Sequence, residues 1–192
     1  MSLTLDQLGM RFGGKILFQK VSLQLNPGHR YGLVGANGAG KTTLLRILMD
    51  EVEADQGGVR HPKDLRIGCL QQDQFLYDEA RIVDVVVMGN ERLWEAMERK
   101  EVLLGKKELS DADGNELAEL ESIISHEDGY SAEGRAGRLL QGLGIPADRH
   151  TLPMRTLSGG YRLRVLLAQL FFSEPDVLLL DEPTNHLDVD AK

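Results

Sequence analysis

The chain has little cysteine and few aromatic residues. Its 192 residues include one cysteine, one tryptophan and 5% aromatic residues in total. A single Cys69 cannot form an internal disulfide, which argues against a disulfide-rich secreted domain. The first ten residues, MSLTLDQLGM, have neither the basic region nor the apolar region of a signal peptide. We therefore expect a cytoplasmic location.

Long hydrophobic runs are missing as well. A helix that spans a bilayer needs roughly 20 consecutive apolar residues, whereas the most apolar stretches are 165–172, which contains Gln169, and 177–180. No transmembrane helix is predicted. Hydrophobic residues nevertheless make up 42% of the chain, which is too many for a disordered protein and enough for a folded core.

The charge is acidic and unevenly distributed. There are 22 basic and 30 acidic residues, for a formal net charge of −8. Residues 1–75 carry +2, residues 76–135 carry −9 and residues 136–192 carry −1. Phosphate backbones are bound by clustered lysine and arginine, so segment 76–135 is not expected to bind nucleic acid.

The hydrophobic pattern predicts an α/β core interrupted by a helical insertion. Strand-like runs and turns alternate before residue 34, the last run being 31–34, and a helix is expected after Gly40. Further predicted elements follow in chain order: a loop and hairpin within 51–66, a strand at 66–70, helices within 76–150 with a helix–helix turn at 110–115, a helix at 162–172, and a fully buried parallel strand at 177–180.

A phosphate-binding loop is predicted at residues 35–42, which read GANGAGKT and fit the pattern G-x-x-x-x-G-K-[ST] between a strand and a helix. Glycines let the backbone N–H groups face phosphate oxygens, and the helix N-terminus favours negative charge. Lys41 would reach the β and γ phosphates and Thr42 would bind Mg²⁺. The candidate nucleotide-binding residues are Gly35, Asn37, Gly38, Ala39, Gly40, Lys41, Thr42 and Thr43.

Two carboxylates follow the predicted strand at 177–180. Asp181 and Glu182 would stand at its carboxyl end, where open α/β sheets bind their ligands. Asp181 would hold Mg²⁺ through water, and Glu182 could act as the general base for an attacking water. The alternative is that the acid before Pro183 only closes the strand, but its combination with the phosphate loop disfavours that interpretation.

A second anion-binding helix start is indicated by Leu157, Ser158, Gly159 and Gly160 before the helix at 162–172. Taken alone, this segment is a capped helix. Together with a phosphate loop it suggests a phosphate shared with another copy of the fold.

These three segments, in this order, resemble the ATP-binding cassette (ABC) family over nearly the whole chain. Gln72 resembles the glutamine that touches Mg²⁺ and the attacking water, with Gln71 as the alternative register. Phe12 resembles the aromatic residue that stacks on adenine, the alternative being a core phenylalanine. The family implies a P-loop NTPase core with an antiparallel β subdomain and a helical insertion, and ATP and Mg²⁺ as cofactors.

Within the family, the segments LSGGYRLR at 157–164 and PTNHLD at 183–188 resemble the ABC-F subgroup, particularly its YbiT-like members. The resemblance implies a second cassette on the same chain, with Ser158, Gly159, Gly160 and Asp188 facing it. It also implies three regions: a β subdomain with the phosphate-loop core at 1–75, a helical subdomain with a short acidic arm at 76–155, and the signature helix, acidic strand and following loop at 156–192.

The chain ends four residues after Asp188. Because the family places a further strand and a histidine beyond that point, we expect an amino-terminal cassette whose core lacks its C-terminal part. The implied function is an ATPase that closes on a second cassette and acts on the ribosome. The alternatives are the ATPase subunit of a transporter with a membrane partner, or a nucleotide-dependent dimerisation module.

Overall fold

The computed structural model describes residues 2–70 and 76–181. They form two compact units. The first consists of residues 2–69 and 175–181, and the second of residue 70 and residues 76–174.

An antiparallel sheet opens the first unit. Its strands are β1 (Leu3–Phe12), β2 (Lys15–Leu25) and β3 (Gln56–Arg60), in the order β2-β1-β3. Residues 56–60 were expected in a hairpin, but β3 pairs with β1, and Asp6 lies opposite Gly58. Gly57 has a φ of 73°, and a Cβ there would lie 2.2 Å from the Asp6 carbonyl oxygen. Gly57 therefore serves a close strand contact and not a tight turn.

The same unit contains the helix that follows the phosphate loop. Helix α1 (Lys41–Leu48) begins after Gly40 as predicted. Its buried residues Ile47 and Leu48 belong to one apolar cluster with Leu3, Leu5, Leu8 and Leu179. A short parallel pair, β4 (Ile67–Cys69) and β5 (Val177–Leu179), completes the unit.

Two predicted strands differ from the structure. Residues 31–34 form no strand with any described residue, and Val34 is 94% exposed. Strand β5 is parallel as predicted but is not fully buried, because Leu178 and Leu180 are 37% and 39% exposed. The reason is that β5 pairs only with β4 within the described part of the chain, so one edge has no strand beside it.

The second unit is helical. It comprises α2 (Ile82–Val87), α3 (Glu91–Leu104), α4 (Asp111–His126), α5 (Ala132–Gly142) and α6 (Gly159–Phe172), with short 3₁₀ turns at 129–131, 147–149 and 154–156. Helix α2 is buried on nearly all sides because α5 and α6 pack against it. After it, Gly89 approaches α6 so closely that a Cβ would lie 2.1 Å from the Gln169 carbonyl oxygen.

Helices α3 and α4 are joined by ion pairs. Arg99–Glu116 and Lys100–Glu121 connect the two helices, and Lys106, in the segment between them, pairs with Asp113 of α4. The expected turn at 110–115 is wrong in its extent, because Ser110 caps α4 reciprocally with Asp113 and residues 111–115 are already helical. The capping box explains this difference, since it satisfies the first N–H groups of a helix and so begins one.

Candidate functional site

The phosphate loop has the backbone that its glycines predict. Gly38 and Gly40 have φ values of 76° and 95°, in the left-handed region that glycine adopts without strain. Gly40 is the N-cap of α1, and within the described chain no side chain makes a cap hydrogen bond there. The first helical N–H groups, those of residues 41–43, have no intrahelical acceptor. A positive helix end is therefore available to an anion.

Lys41 lies over this loop. Its Nζ donates a hydrogen bond to the Gly35 carbonyl oxygen at 3.0 Å and a longer one to the Ala36 carbonyl at 3.5 Å. The ammonium group is thus held at the loop that it is predicted to serve. A charged donor beside the backbone N–H groups of a helix start is the arrangement that binds phosphate oxygens.

Strand β2 packs closely against Gly40 of the loop. A Cβ on Gly40 would lie 3.0 Å from the Leu17 Cβ and 3.2 Å from a Phe18 ring carbon. Gly40 is therefore required both for its backbone angle and for the space that Leu17 and Phe18 occupy. Leu17 matches no sequence motif, and only its position five residues after Phe12, on the next strand, links it to the site.

A cleft of about 450 Å³ opens at the loop. Phe12 and Leu17 line one part of it, and Phe12 is 76% exposed, so this ring is not a core phenylalanine. The remaining lining residues are Asn37, Gly38, Gly40, Lys41, Thr42 and Thr43. The cleft thus joins an exposed aromatic ring to the phosphate loop.

Thr42 and Asp181 are in direct contact. The Thr42 hydroxyl donates a hydrogen bond to an Asp181 carboxylate oxygen at 2.6 Å, although the two residues are 139 positions apart. Hydroxyl and carboxylate oxygens are ligands that Mg²⁺ accepts, and this ion usually completes its shell with phosphate oxygens and water. In the described ranges no group of three or more His, Cys, Asp or Glu could hold a metal alone. The pair therefore fits Mg²⁺ that arrives with a phosphate.

The Asp181 carboxylate also influences Cys69, at the end of β4. Burial raises the pKa of the Cys69 thiol, and the negative charges of Glu51 and Asp181 raise it further. The raised pKa favours the neutral form of the thiol.

The signature segment, residues 157–160 (LSGG), leads into α6 in the second unit. Ser158 is the N-cap, and its side chain makes no cap hydrogen bond within the described chain, so the segment is not a side-chain-capped helix. Ser158 and Gly159 are exposed, whereas Gly160 is buried. Three predicted site residues, Gln72, Glu182 and Asp188, lie outside the described residues, as does Gln71.

Comparison with known families resolves the identity of this arrangement. Residues 18–185 match the family model described as ABC transporter. The chain belongs to the ABC transporter family. ABC cassettes bind ATP with Mg²⁺ and dimerise, and the fold is the mixed α/β fold of an ABC ATPase, as predicted.

Relatives place this ABC chain near the ABC-F subgroup. It is 48% identical over 182 residues to "Probable ATP-binding protein YbiT" of Escherichia coli O157:H7, covering 95% of this chain and 34% of that protein. It is 45% identical over 189 residues to an uncharacterised ABC transporter ATP-binding protein, YkpA of Bacillus subtilis, covering 98% and 35%. ABC transporter F family member 4 of Arabidopsis thaliana is 35% identical over 201 residues, covering 98% and 27%. The ABC-F resemblance is confirmed, and the chain spans about a third of the length of these relatives.

A solved ABC protein has the same fold. An ABC transporter described as metal-chelate type, in an inward-facing conformation, superposes with a TM-score of 0.65 and 25% identity, covering 99% of this chain and 64% of the other. Within residues 2–70 and 76–181 of the present ABC chain, no helix reaches the length and apolar content needed to cross a bilayer.

Proposed function

We propose that the chain is the ATP-binding and hydrolysing cassette of an ABC-F protein that acts in the cytoplasm on the ribosome. The observation that carries the ATPase assignment is the 2.6 Å contact between Thr42 and Asp181 beside the Lys41 ammonium and the uncapped start of α1. The ABC-F assignment of the whole protein rests on the relatives that share 35–48% identity over nearly the whole chain.

Each described residue has a distinct role in this proposal. The N–H groups of the loop and Lys41 bind the phosphates, and their fixed positive charge stabilises negative charge that develops during transfer. Thr42 and Asp181 would hold Mg²⁺, directly and through water respectively, and the bound ion would supply positive charge to the phosphate oxygens. Phe12, exposed at the mouth of the cleft, supplies a ring on which adenine stacks.

For hydrolysis we propose two residues that were predicted from sequence motifs, Gln72 and Glu182. In this proposal Gln72 would contact Mg²⁺ and the attacking water, and Glu182 would accept the proton of that water. We assign residues 1–75 to the β subdomain and phosphate-loop core, 76–155 to the helical subdomain, and 156–192 to the signature helix, acidic strand and following loop.

We propose that ATP binding drives the closure of two cassettes onto each other. Ser158, Gly159 and Gly160 would bind the γ phosphate held by a second cassette, with Asp188 at the same interface. Because this phosphate favours the closed state, ATP binding shifts the population toward closure and hydrolysis reverses the shift.

Ribosome pelleting tests the proposed partner. The full-length protein carrying Glu182→Gln should bind ATP without hydrolysing it, so it should pellet with ribosomes in ATP and not without nucleotide. The matched control adds Lys41→Ala to the same protein and should abolish the ATP-dependent fraction. Absence from the ribosome pellet, together with capture of an integral membrane protein, would replace this proposal with the transporter-subunit alternative.

A further inference from the structure

A buried arginine contacts the signature segment from within the first turn of α6. Arg162, in the first turn of α6, is 7% exposed. Its Nε donates a hydrogen bond to the Leu157 carbonyl oxygen at 3.1 Å, and its Nη1 donates one to the Asp78 carboxylate. Burying a guanidinium is costly unless it is paired and hydrogen-bonded, so the Leu157 carbonyl and the Asp78 carboxylate both help to fix the position of the Arg162 side chain.

The Leu157 carbonyl belongs to the peptide immediately before the Ser158 N-cap. Leu157 is itself buried, and its N–H donates to the Met154 carbonyl at 3.0 Å. The Arg162 N–H donates to the Ser158 carbonyl at 2.9 Å. Arg162 therefore holds the peptides on both sides of Ser158, whose own hydroxyl makes no cap bond in the described structure.

Backbone hydrogen bonds hold Asp78 in place in addition to its contact with Arg162. The Arg155 N–H donates to the Asp78 carbonyl at 3.0 Å, and the Met154 N–H donates to the Ala80 carbonyl at 2.9 Å. The stretch around Asp78 thus runs alongside the residues that lead into Ser158. It also follows directly after the segment that contains the predicted Gln72.

A neighbouring ion pair makes a useful contrast. Glu79, the next residue, pairs with Arg155, but both side chains are largely exposed, at 78% and 56%. Exposed pairs contribute little because water screens them. By comparison, the Arg162 side chain is 9% exposed and that of Asp78 is 38% exposed.

We infer that Asp78 and Arg162 are positioning residues for the signature segment. Together they set the backbone at Ser158 so that the N–H groups at the start of α6 can contact a phosphate. Asp78 orients the guanidinium, and the guanidinium fixes the Leu157 carbonyl. The inference rests on the proposed function, in which Ser158, Gly159 and Gly160 face the nucleotide of a second cassette. Misplacement there would slow turnover without weakening nucleotide binding to the phosphate loop.

The test uses steady-state ATP hydrolysis by the full-length protein. Asp78→Asn should lower kcat by about tenfold or more while KM and the binding of a fluorescent ATP analogue stay within about twofold of wild type. Asp78→Glu, which keeps the carboxylate, should recover part of kcat. The matched control is Glu79→Gln, the same acid-to-amide change one residue along the chain, and it should leave kcat within about twofold.

A second variant guards against misfolding. Arg162→Lys retains the charge, but one ammonium cannot reproduce the forked contact to both acceptors, so it should show the same loss in kcat. Thermal unfolding of each variant establishes that it is folded. If neither Asp78→Asn nor Arg162→Lys folds, the pair serves folding alone and the inference is overturned.

Other outcomes separate the inference from the proposed function. Hydrolysis that Ser158→Arg abolishes but Asp78→Asn leaves unchanged overturns the positioning role alone. An equal loss in Asp78→Asn and Glu79→Gln, or a parallel loss of ATP binding, overturns it as well. Absence of hydrolysis in the wild-type protein overturns the proposed function and this inference with it.

Discussion

Replacing Gly40 by alanine perturbs the phosphate loop in two ways at once. Its φ of 95° lies in the left-handed region, which disfavours any residue with a Cβ. The new methyl group would also lie 3.0 Å from the Leu17 Cβ and 3.2–3.3 Å from two Phe18 ring carbons. Leu17 and Phe18 belong to a paired strand, β2, so they cannot move aside freely.

The size of the effect follows from these two contributions. A left-handed conformation costs an L-residue about 1–2 kcal/mol, and overpacking adds about 1–3 kcal/mol. Gly40→Ala should therefore disfavour the binding-competent loop by about 2–5 kcal/mol. Gly38 provides a matched control, because its φ is 76° but no described atom lies within 4 Å of its would-be Cβ. Gly38→Ala should cost about 1–2 kcal/mol.

The difference between Gly40→Ala and Gly38→Ala can be measured as a difference in nucleotide affinity. The apparent Kd rises as the competent fraction falls, and 1.4 kcal/mol corresponds to about tenfold. We expect about 5- to 30-fold weaker binding for Gly38→Ala and at least about 30-fold weaker binding for Gly40→Ala. The measurement is a titration with a fluorescent ATP analogue in the full-length protein, with the phosphate loop of its second cassette inactivated. Equal weakening by both variants, or wild-type affinity of Gly40→Ala, would refute the packing argument.

Three further changes should have distinct effects. Lys41→Ala should weaken the same ATP analogue about 10- to 150-fold, since a hydrogen bond to a charged group contributes about 1.5–3 kcal/mol. Urea unfolding should stay within about 0.5 kcal/mol of wild type, and unchanged affinity would remove Lys41 from the site. Gly89→Ala should destabilise the protein by about 3 kcal/mol, because its methyl would meet a backbone carbonyl oxygen of α6 at 2.1 Å. Gly114→Ala, with open space around it, should not destabilise, so equal urea midpoints would contradict the packing at Gly89. Hydrogen bonds from Lys106 and Ser110 hold the pKa of Asp113 well below its usual range. The ionised carboxylate therefore stabilises the fold fully above the unfolded pKa of about 4, and this stabilisation is lost as pH falls through the lowered folded pKa. Urea unfolding between pH 2 and pH 5 should be less pH-dependent in Asp113→Asn, and an unaltered profile would contradict this assignment.

Local chemistry made the nucleotide-binding elements predictable. Residues 35–42 form their loop because the glycine angles and the start of the following helix are encoded within one short segment, and Gly40 is indeed the N-cap of α1. The parallel strand at 177–179 was predictable for the same reason, since four consecutive apolar residues followed by acids are typical of that element.

Long-range pairing accounts for most of the differences, and an ambiguous local motif accounts for the one at Ser110. Gly57 and Gly58 have the composition of a turn, but their use depends on the approach of β1, which lies about 50 positions earlier. Ser110 was placed in a turn because its capping partner, Asp113, is also a common turn residue. The Asp78–Arg162 contact joins residues 84 positions apart, so no local pattern in the sequence indicates it.

The contact between Thr42 and Asp181 also orders events during synthesis. These residues enclose the entire helical unit, 70–174, so the ribosome must add 139 residues after Thr42 before its partner exists. At about 5–20 residues per second, that interval is roughly 7–28 s. A nascent chain can therefore expose a phosphate loop and begin forming its helices well before the proposed metal site is complete, which would make full nucleotide binding one of the last events in its maturation.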